Sequence, residues 1–230
     1  MSGRDGTGAG ADAVRGSGAG GSGDPGAPDG PRPRGRRPTT HDAVLAATTE
    51  LLETVPLAEL SVQQILSAAS VGRTSFYEHF SSKEDVVVKL LRSVSADIAR
   101  EIEPMFARAE RTPEQAFHEG LARLIRMWER YAPLMVTGSV EWPQVPELRR
   151  LWLRIHADLT RRIAAVIEAD RASGLAPAGA EPEALAAALV WSTERALLVS
   201  RTGGNLALPR PEALVEPLTQ LYVRSIYGRR

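Results

Sequence analysis

Between positions 73 and 83 the chain sets out Arg73, Thr74, Ser75, Tyr77, His79 and Lys83, with Phe76 and Phe80 among them. A guanidinium, hydroxyls, an imidazole and an ammonium at this density suit phosphates and base edges. Arginine can pair bidentately with guanine, while serine and threonine can bond any base and the threonine methyl can meet thymine. Catalytic chemistry is poorly served. The four histidines, His41, His79, His118 and His156, have no metal-binding spacing, and Glu119 beside His118 reads first as a helix-surface pair. No phosphate loop, nucleophile elbow or dinucleotide fingerprint occurs. The absence of cysteine removes thiolate nucleophiles, disulfides and Cys-based zinc sites. No catalytic residue, metal or cofactor is expected, and an enzyme is the less favoured reading.

The surrounding pattern supplies elements to hold these groups. Val44, Thr48, Leu51, Leu52 and Val55 recur at helical steps after a capping box at Thr39 and Asp42, and Pro56 stops that helix. A second capping box, Ser61 with Gln64, opens a short helix with Val62, Ile65, Leu66 and Ala69 inside. After a turn at Ser70–Gly72 a third helix runs from about Arg73 to His79 or Phe80. At 100° per residue Phe76 and Phe80 lie about 40° apart, which makes one apolar face and leaves the polar set outside. Two short helices across a tight turn, docked on the first, form a helix-turn-helix. The first residues of such a second helix reach base edges in a major groove. Tyr77 and His79 are placed for phosphates. Lys83, at the start of the next helix, is expected to hold a phosphate together with open backbone N–H groups. Two ordinary bundle helices with a polar outer face would give the same spacing, so spacing alone leaves both readings.

Charge is uneven although 28 acids balance 28 bases. Residues 31–40 carry Arg32, Arg34, Arg36 and Arg37 with no acid, whereas residues 41–92 hold four basic and seven acidic side chains. Residues 1–35 contain 12 of the 20 glycines and almost no large apolar side chains, which predicts a disordered arm, basic to about position 38. Its end, with Arg36 and Arg37, either supplies long-range attraction to DNA or is a solvated tail. No apolar run approaches the ~20 residues that span a bilayer. The expected setting is the cytoplasm, with no membrane partner.

The segment 61-SVQQILSAASVGRTSFYEHFSSKEDVV-87 resembles the helix-turn-helix of the TetR family of bacterial transcriptional repressors. The family pattern is a small-residue turn, then T/S-x-Y-x-H/Y-F and a lysine shortly after. Ser75, Tyr77, His79, Phe80 and Lys83 fall on it. The resemblance implies DNA contact at Arg73, Thr74, Ser75, Tyr77, His79 and Lys83, and at Ser61 and Gln63 in the preceding helix. One departure is that Ser70 and Gly72 stand where the family usually has Gly and then Ser or Thr. Further along, 164-AAVIEADRASGLAP-177, 194-ERALLVS-200 and 221-LYVRSIYG-228 are similar to the branch containing the mycobacterial repressor of ethionamide activation.

The rest of the chain reads as helices at roughly 113–131, 133–141, 146–173, 181–201 and 211–227, so the fold expected is all-α. The expected division is a DNA-binding domain at 39–86 and a helical ligand-binding and dimerisation domain at 87–230. All four tryptophans lie in the second part. Wide side chains there fit either plain core packing or helices held apart around an apolar cavity of roughly a few hundred Å3. The resemblance implies a cavity for a small apolar effector, lined by Phe117, Leu121, Leu124, Trp128, Trp152, Ile155, His156, Leu159, Thr193 and Tyr222. Glu194, His156 and Thr193 would orient the ligand, Thr193 standing where that branch has a ligand-bonding asparagine. The last two helices, 181–201 and 211–227, carry small and aliphatic faces suited to an isologous homodimer: Leu185, Ala188, Leu189, Ser192 and Ala196, then Leu214, Leu218, Leu221 and Ser225. The function expected is a dimeric regulator on a palindromic double-stranded operator, a repressor in the sense the resemblance implies, released by the effector. A DNA binder with no small-molecule ligand is the alternative.

Overall fold

The computed structural model describes residues 39–107, 110–203 and 207–228, and every regular element among them is helical. Arg36 and Arg37 lie outside the described residues. The elements are α1 (Thr40–Leu51), α2 (Val62–Ala69), α3 (Arg73–Tyr77), α4 (Lys83–Glu101), α5 (Pro113–Arg130), α6 (Ala132–Glu141), α7 (Pro146–Ala172), α8 (Pro182–Thr202) and α9 (Val215–Tyr227). Short 3-10 turns at Glu103–Met105 and Pro211–Leu214 follow α4 and precede α9.

Local chemistry sets the helix starts. Thr39, Ser61 and Thr112 each accept the N–H of the residue three positions on, and Asp42, Gln64 and Gln115 bond back, so α1, α2 and α5 begin with complete capping boxes. Ser82 caps α4 by accepting from the Asp85 N–H, and proline occupies the first turn of α5, α6, α7 and α8. The third helix is shorter than its sequence suggests. Regular α geometry ends at Tyr77, and a tight turn in which His79 and Phe80 N–H groups both reach the Phe76 carbonyl carries the chain to α4.

Phe76 and Phe80 are buried with Val44, Ile65, Leu66 and Leu60, which fixes α3 on α1 and α2. Val86, Val87 and Leu91 of α4 belong to the same continuous core as Phe117, Trp152 and Tyr222. The described residues therefore form one compact unit, and α4 runs from the helix-turn-helix into the larger bundle. There α7 packs along α8, and α5 along α9.

The turn between α2 and α3 inverts the usual allocation of residue types. Ser70 takes the left-handed conformation at φ 55° and ψ 41° as the C-cap of α2, where glycine would carry no Cβ penalty. Gly72 sits at φ −75° and ψ 155°, a region open to any residue, and caps α3 without a side chain. A Cβ at position 72 would meet nothing within 4 Å. Exchanging the two residues should therefore stabilise the chain. Ser70→Gly relieves a left-handed cost of roughly 1–2 kcal/mol, partly offset by glycine's greater unfolded entropy. Gly72→Ser adds a cap bond worth on the order of a few tenths of a kcal/mol. The double variant should melt above wild type in calorimetry, and a lower melting temperature would refute this account of the turn.

Candidate DNA-reading surface and effector cavity

Arg73, Thr74, Tyr77 and His79 are exposed, Tyr77 at 50 %, and Ser75 is half-buried between them and the Phe76 core. Ser61 and Gln63 are exposed at the start of α2. The polar set is thus solvent-facing on α2, on α3 and in the turn that follows α3. Two contacts steady the far end of that surface. The His41 ring stacks on Phe80 at 5.2 Å and meets His79 edge-on at 6.1 Å. Lys89 donates to the His79 carbonyl at 2.5 Å, lies 4.5 Å from the centre of the Phe80 ring, and pairs with Asp85 at 3.3 Å. Asp85 also accepts the Ser81 N–H at 3.0 Å. Partial burial works to raise the Asp85 pKa, but the Ser81 N–H and the Lys89 ammonium outweigh it and hold the carboxyl below its usual range.

Lys83 requires a correction. Its ammonium does not project to a phosphate but turns inward, donating to the carbonyls of Leu57 at 2.7 Å, Ala58 at 3.2 Å and Leu60 at 2.7 Å. All three N–H donors of an ammonium are thereby engaged. The carbonyls belong to the loop between α1 and α2, so Lys83 ties the first turn of α4 to the base of the helix-turn-helix. Only its backbone N–H stays with the exposed helix start.

The larger bundle encloses a cavity lined by α4, α5, α7, α8 and α9. Leu124, Trp128, Trp152, Ile155, His156, Leu159, Thr193, Glu194 and Tyr222 are on its wall. Phe117 and Leu121 are not. Both are fully buried one layer deeper, and Phe117 packs on Tyr222 at 5.1 Å and so backs the wall. Leu91, Ser95 and Ile98 of α4, with Ile102, Met105, Met135, Ile163, Val190 and Leu197, complete the lining. That this side of α4 faces the cavity depends on how α4 is rotated against α7. The cavity volume is about 80 Å3, tighter than expected, because the indoles and methionines occupy much of the gap.

Polar groups on the wall are few. Thr193 donates to the Leu189 carbonyl at 2.9 Å, so the Tyr222 hydroxyl, 3.2 Å away, donates to Thr193, and burial pushes the Tyr222 pKa up to about 12. His156 Nδ1 donates to the Trp152 carbonyl at 2.9 Å, and its ring stacks on Trp191 at 4.1 Å. Burial lowers the His156 pKa against that hydrogen bond, which keeps the ring neutral with Nε2 as an acceptor. Glu194 is 5 % exposed, and neither carboxylate oxygen nor the Trp152 Nε1–H has a hydrogen-bond partner among the described residues. Burial raises the Glu194 pKa, opposed by the nearby Ser139 hydroxyl and Arg195. Trp152 can lie as it does because α6 presents Gly138. A Cβ there would stand 2.4 Å from the indole Cζ3.

Of the residues expected on a dimer face, Leu189, Leu214 and Leu218 are buried in the chain's own core. Ala188, Ser192 and Ser225 are exposed, Leu185 and Ala196 half-buried, and Leu221 is 40 % exposed. No described helix is long and apolar enough to cross a membrane, and no metal-competent cluster of His, Asp and Glu occurs among the described residues.

Residues 44–90 match the family of bacterial regulatory proteins described as tetR, and residues 117–228 match the C-terminal domain of the transcriptional regulator EthR. The HTH-type transcriptional regulator EthR of Mycobacterium tuberculosis is 31 % identical over 203 residues, covering 85 % of this chain and 94 % of the relative. Its counterpart in Mycolicibacterium smegmatis is 29 % identical over 206 residues, covering 85 % and 93 %. The transcriptional regulator FadR of Bacillus subtilis, solved in complex with stearoyl-CoA, superposes with a TM-score of 0.64 at 16 % identity over 80 % of this chain and 98 % of that one.

Two substitutions test the site's physics. Lys83→Ala leaves three carbonyls without their charged donor and should cost roughly 1.5–3 kcal/mol in denaturant unfolding. Lys83→Arg should recover little of it, because a planar fork does not reproduce a tetrahedral set of donors. Full recovery by arginine would refute this role. For Glu194 the raised pKa means that the folded state holds the proton more tightly than the unfolded one. The stabilising contribution is complete below the ordinary glutamate range and is lost as pH rises through the raised value. Glu194→Gln escapes that loss, so its melting temperature should exceed wild type at pH 8 and converge on it near pH 4, outcomes a pH series of thermal melts would read.

Proposed function

The chain belongs to the TetR family of bacterial transcriptional regulators, with an EthR-type C-terminal domain, and on that premise we propose that it is a DNA-binding repressor released by a small apolar effector. The carrying observation is the division of α3 and the turn after it: Phe76 and Phe80 are buried, while Arg73, Thr74, Tyr77 and His79 are exposed. Arg73 reads a guanine, Thr74 and Ser75 read neighbouring base edges, and Tyr77, His79, Ser61 and Gln63 hold the backbone. Residues 39–86 do the reading, and the end of the arm, with Arg36 and Arg37, adds sequence-independent attraction. Residues 87–230 bind the effector and pair two copies through α8 and α9. This work takes place in the cytoplasm, where the DNA is.

A single short helix reads few bases, so the functional species is a homodimer on a palindromic operator. Its two recognition helices would stand about 34–36 Å apart, one turn of DNA. The effector cavity and the reading head share α4, whose first turn is tied to the α1–α2 loop by Lys83 and whose later turns supply Leu91, Ser95 and Ile98 to the cavity wall. An effector that fits one setting of α4 better than the other shifts operator affinity by that difference, typically ~1–3 kcal/mol.

Selection of bound fragments from the host genome gives the operator, and anisotropy titrations on it test the assignments. Arg73→Ala should weaken binding by about 1–3 kcal/mol and relax sequence preference. Removal of residues 1–37 should lower affinity evenly across sequences and flatten its salt dependence. Unchanged operator binding in both variants would place the reading surface elsewhere.

A further inference from the structure

The cavity's ionisable inventory is short and one-sided. Glu194, His156 and Tyr222 are its titratable lining residues, and no lysine or arginine is among the described side chains of the wall. His156 spends its Nδ1–H on the Trp152 carbonyl and remains neutral, and Tyr222 spends its hydroxyl on Thr193. What the wall still offers is the Glu194 carboxyl, 5 % exposed, neither oxygen of which is in hydrogen-bonding geometry with a described donor, although the Ser139 hydroxyl, also without a partner, is close enough to compete for one of them. The nearest cation, Arg195, holds its Nε 3.8 Å from Glu194 Oε2, beyond hydrogen-bond reach. Its side chain is 55 % exposed and lies off the cavity wall. A buried carboxyl left in this way is costly until something donates to it.

Resting on the reading of this cavity as an effector site, we infer that it selects an apolar molecule carrying a basic nitrogen, which Glu194 receives, and discriminates against carboxylate-headed chains. The ammonium or amine N–H would donate to the two unmet carboxylate oxygens in a charge-assisted bond. The faces of Trp128, Trp152 and Tyr222 add the electron-rich surfaces on which cations are favoured. The remaining wall, from Leu91 and Ile98 to Leu159 and Val190, accepts an alkyl or aryl body. A carboxylate headgroup meets the opposite situation. It finds no cation on the wall and a like charge in Glu194, which disfavours it on both counts.

Three probes with one hexyl body and different heads separate these effects: 1-hexylamine, 1-hexanol and hexanoate, titrated calorimetrically into the full-length chain at neutral pH. Hexylamine should bind about tenfold or more tightly than hexanol, the equivalent of one charge-assisted hydrogen bond. Hexanoate should bind most weakly of the three. In Glu194→Gln the amine-to-alcohol ratio should fall toward one. Circular dichroism checks the fold of that variant, and the wild-type ordering stands independently of it. Saturable hexanol binding with no advantage for the amine, a preference for hexanoate, or a preference for amine that survives in Glu194→Gln overturns this inference and leaves the effector site standing. If none of the three binds saturably, the effector-site reading falls with it.

Discussion

Much of this molecule hangs on one ammonium group. Lys83 begins α4, and its three donors reach three carbonyls of a loop more than twenty residues earlier. Without that link the α1–α2 loop would lose this polar tie to α4, and apolar contacts fix distance better than they fix orientation. A carbonyl cage around a tetrahedral cation fixes both. Lys89, one and a half turns on, does a related task for the other end of the reading helix by holding the His79 carbonyl and the face of Phe80. These are the only two lysines in a chain with 28 basic residues. Their compact, many-directional donors suit carbonyl capping in a way that a flat guanidinium does not.

The same helix gives the bundle its economy of parts. α4 is short of polar residues where it faces α7, so its side chains serve as wall for the cavity with no loop between wall and reading head. The cavity is bounded mostly by side chains that need no hydrogen bond, and its exceptions are concentrated on α7, α8 and α9. Thr193 and Tyr222 satisfy each other. Glu194 and the Trp152 N–H do not. Polar groups left open in an otherwise dry space are the features from which recognition is built, since an apolar wall by itself accepts any body of the right girth.

How far the sequence revealed this depends on the range over which each signal acts. Capping boxes at Thr39 and Ser61 are local chemistry, and α1 and α2 begin where those residues say. The split of Phe76 and Phe80 from Arg73 and Thr74 follows from helical period and needs no tertiary information. Lys83 was legible as a cation at a helix start but not as an inward one, because its acceptors are backbone atoms with no signature in residue type. Phe117 and Leu121 share an apolar stripe with Leu124 and Trp128, and periodicity cannot say which part of a wide stripe meets the gap and which meets α9. For the same reason the helical spacing of Leu91 and Ile98 does not reveal that they form a wall, and Ser95 carries no periodic signal at all. The residues outside the described range, Arg36 and Arg37 among them, rest on charge pattern alone.

Gly138 has a bearing on how such a cavity diversifies. It touches no ligand space, yet it is the recess into which the Trp152 indole withdraws. Any side chain there would drive the indole toward the centre of the bundle, so the bore of the cavity is set partly from behind the wall. Relatives with identical linings could then accept bodies of different width. The heritable dial for ligand size would be a position that no contact map of a bound complex would mark.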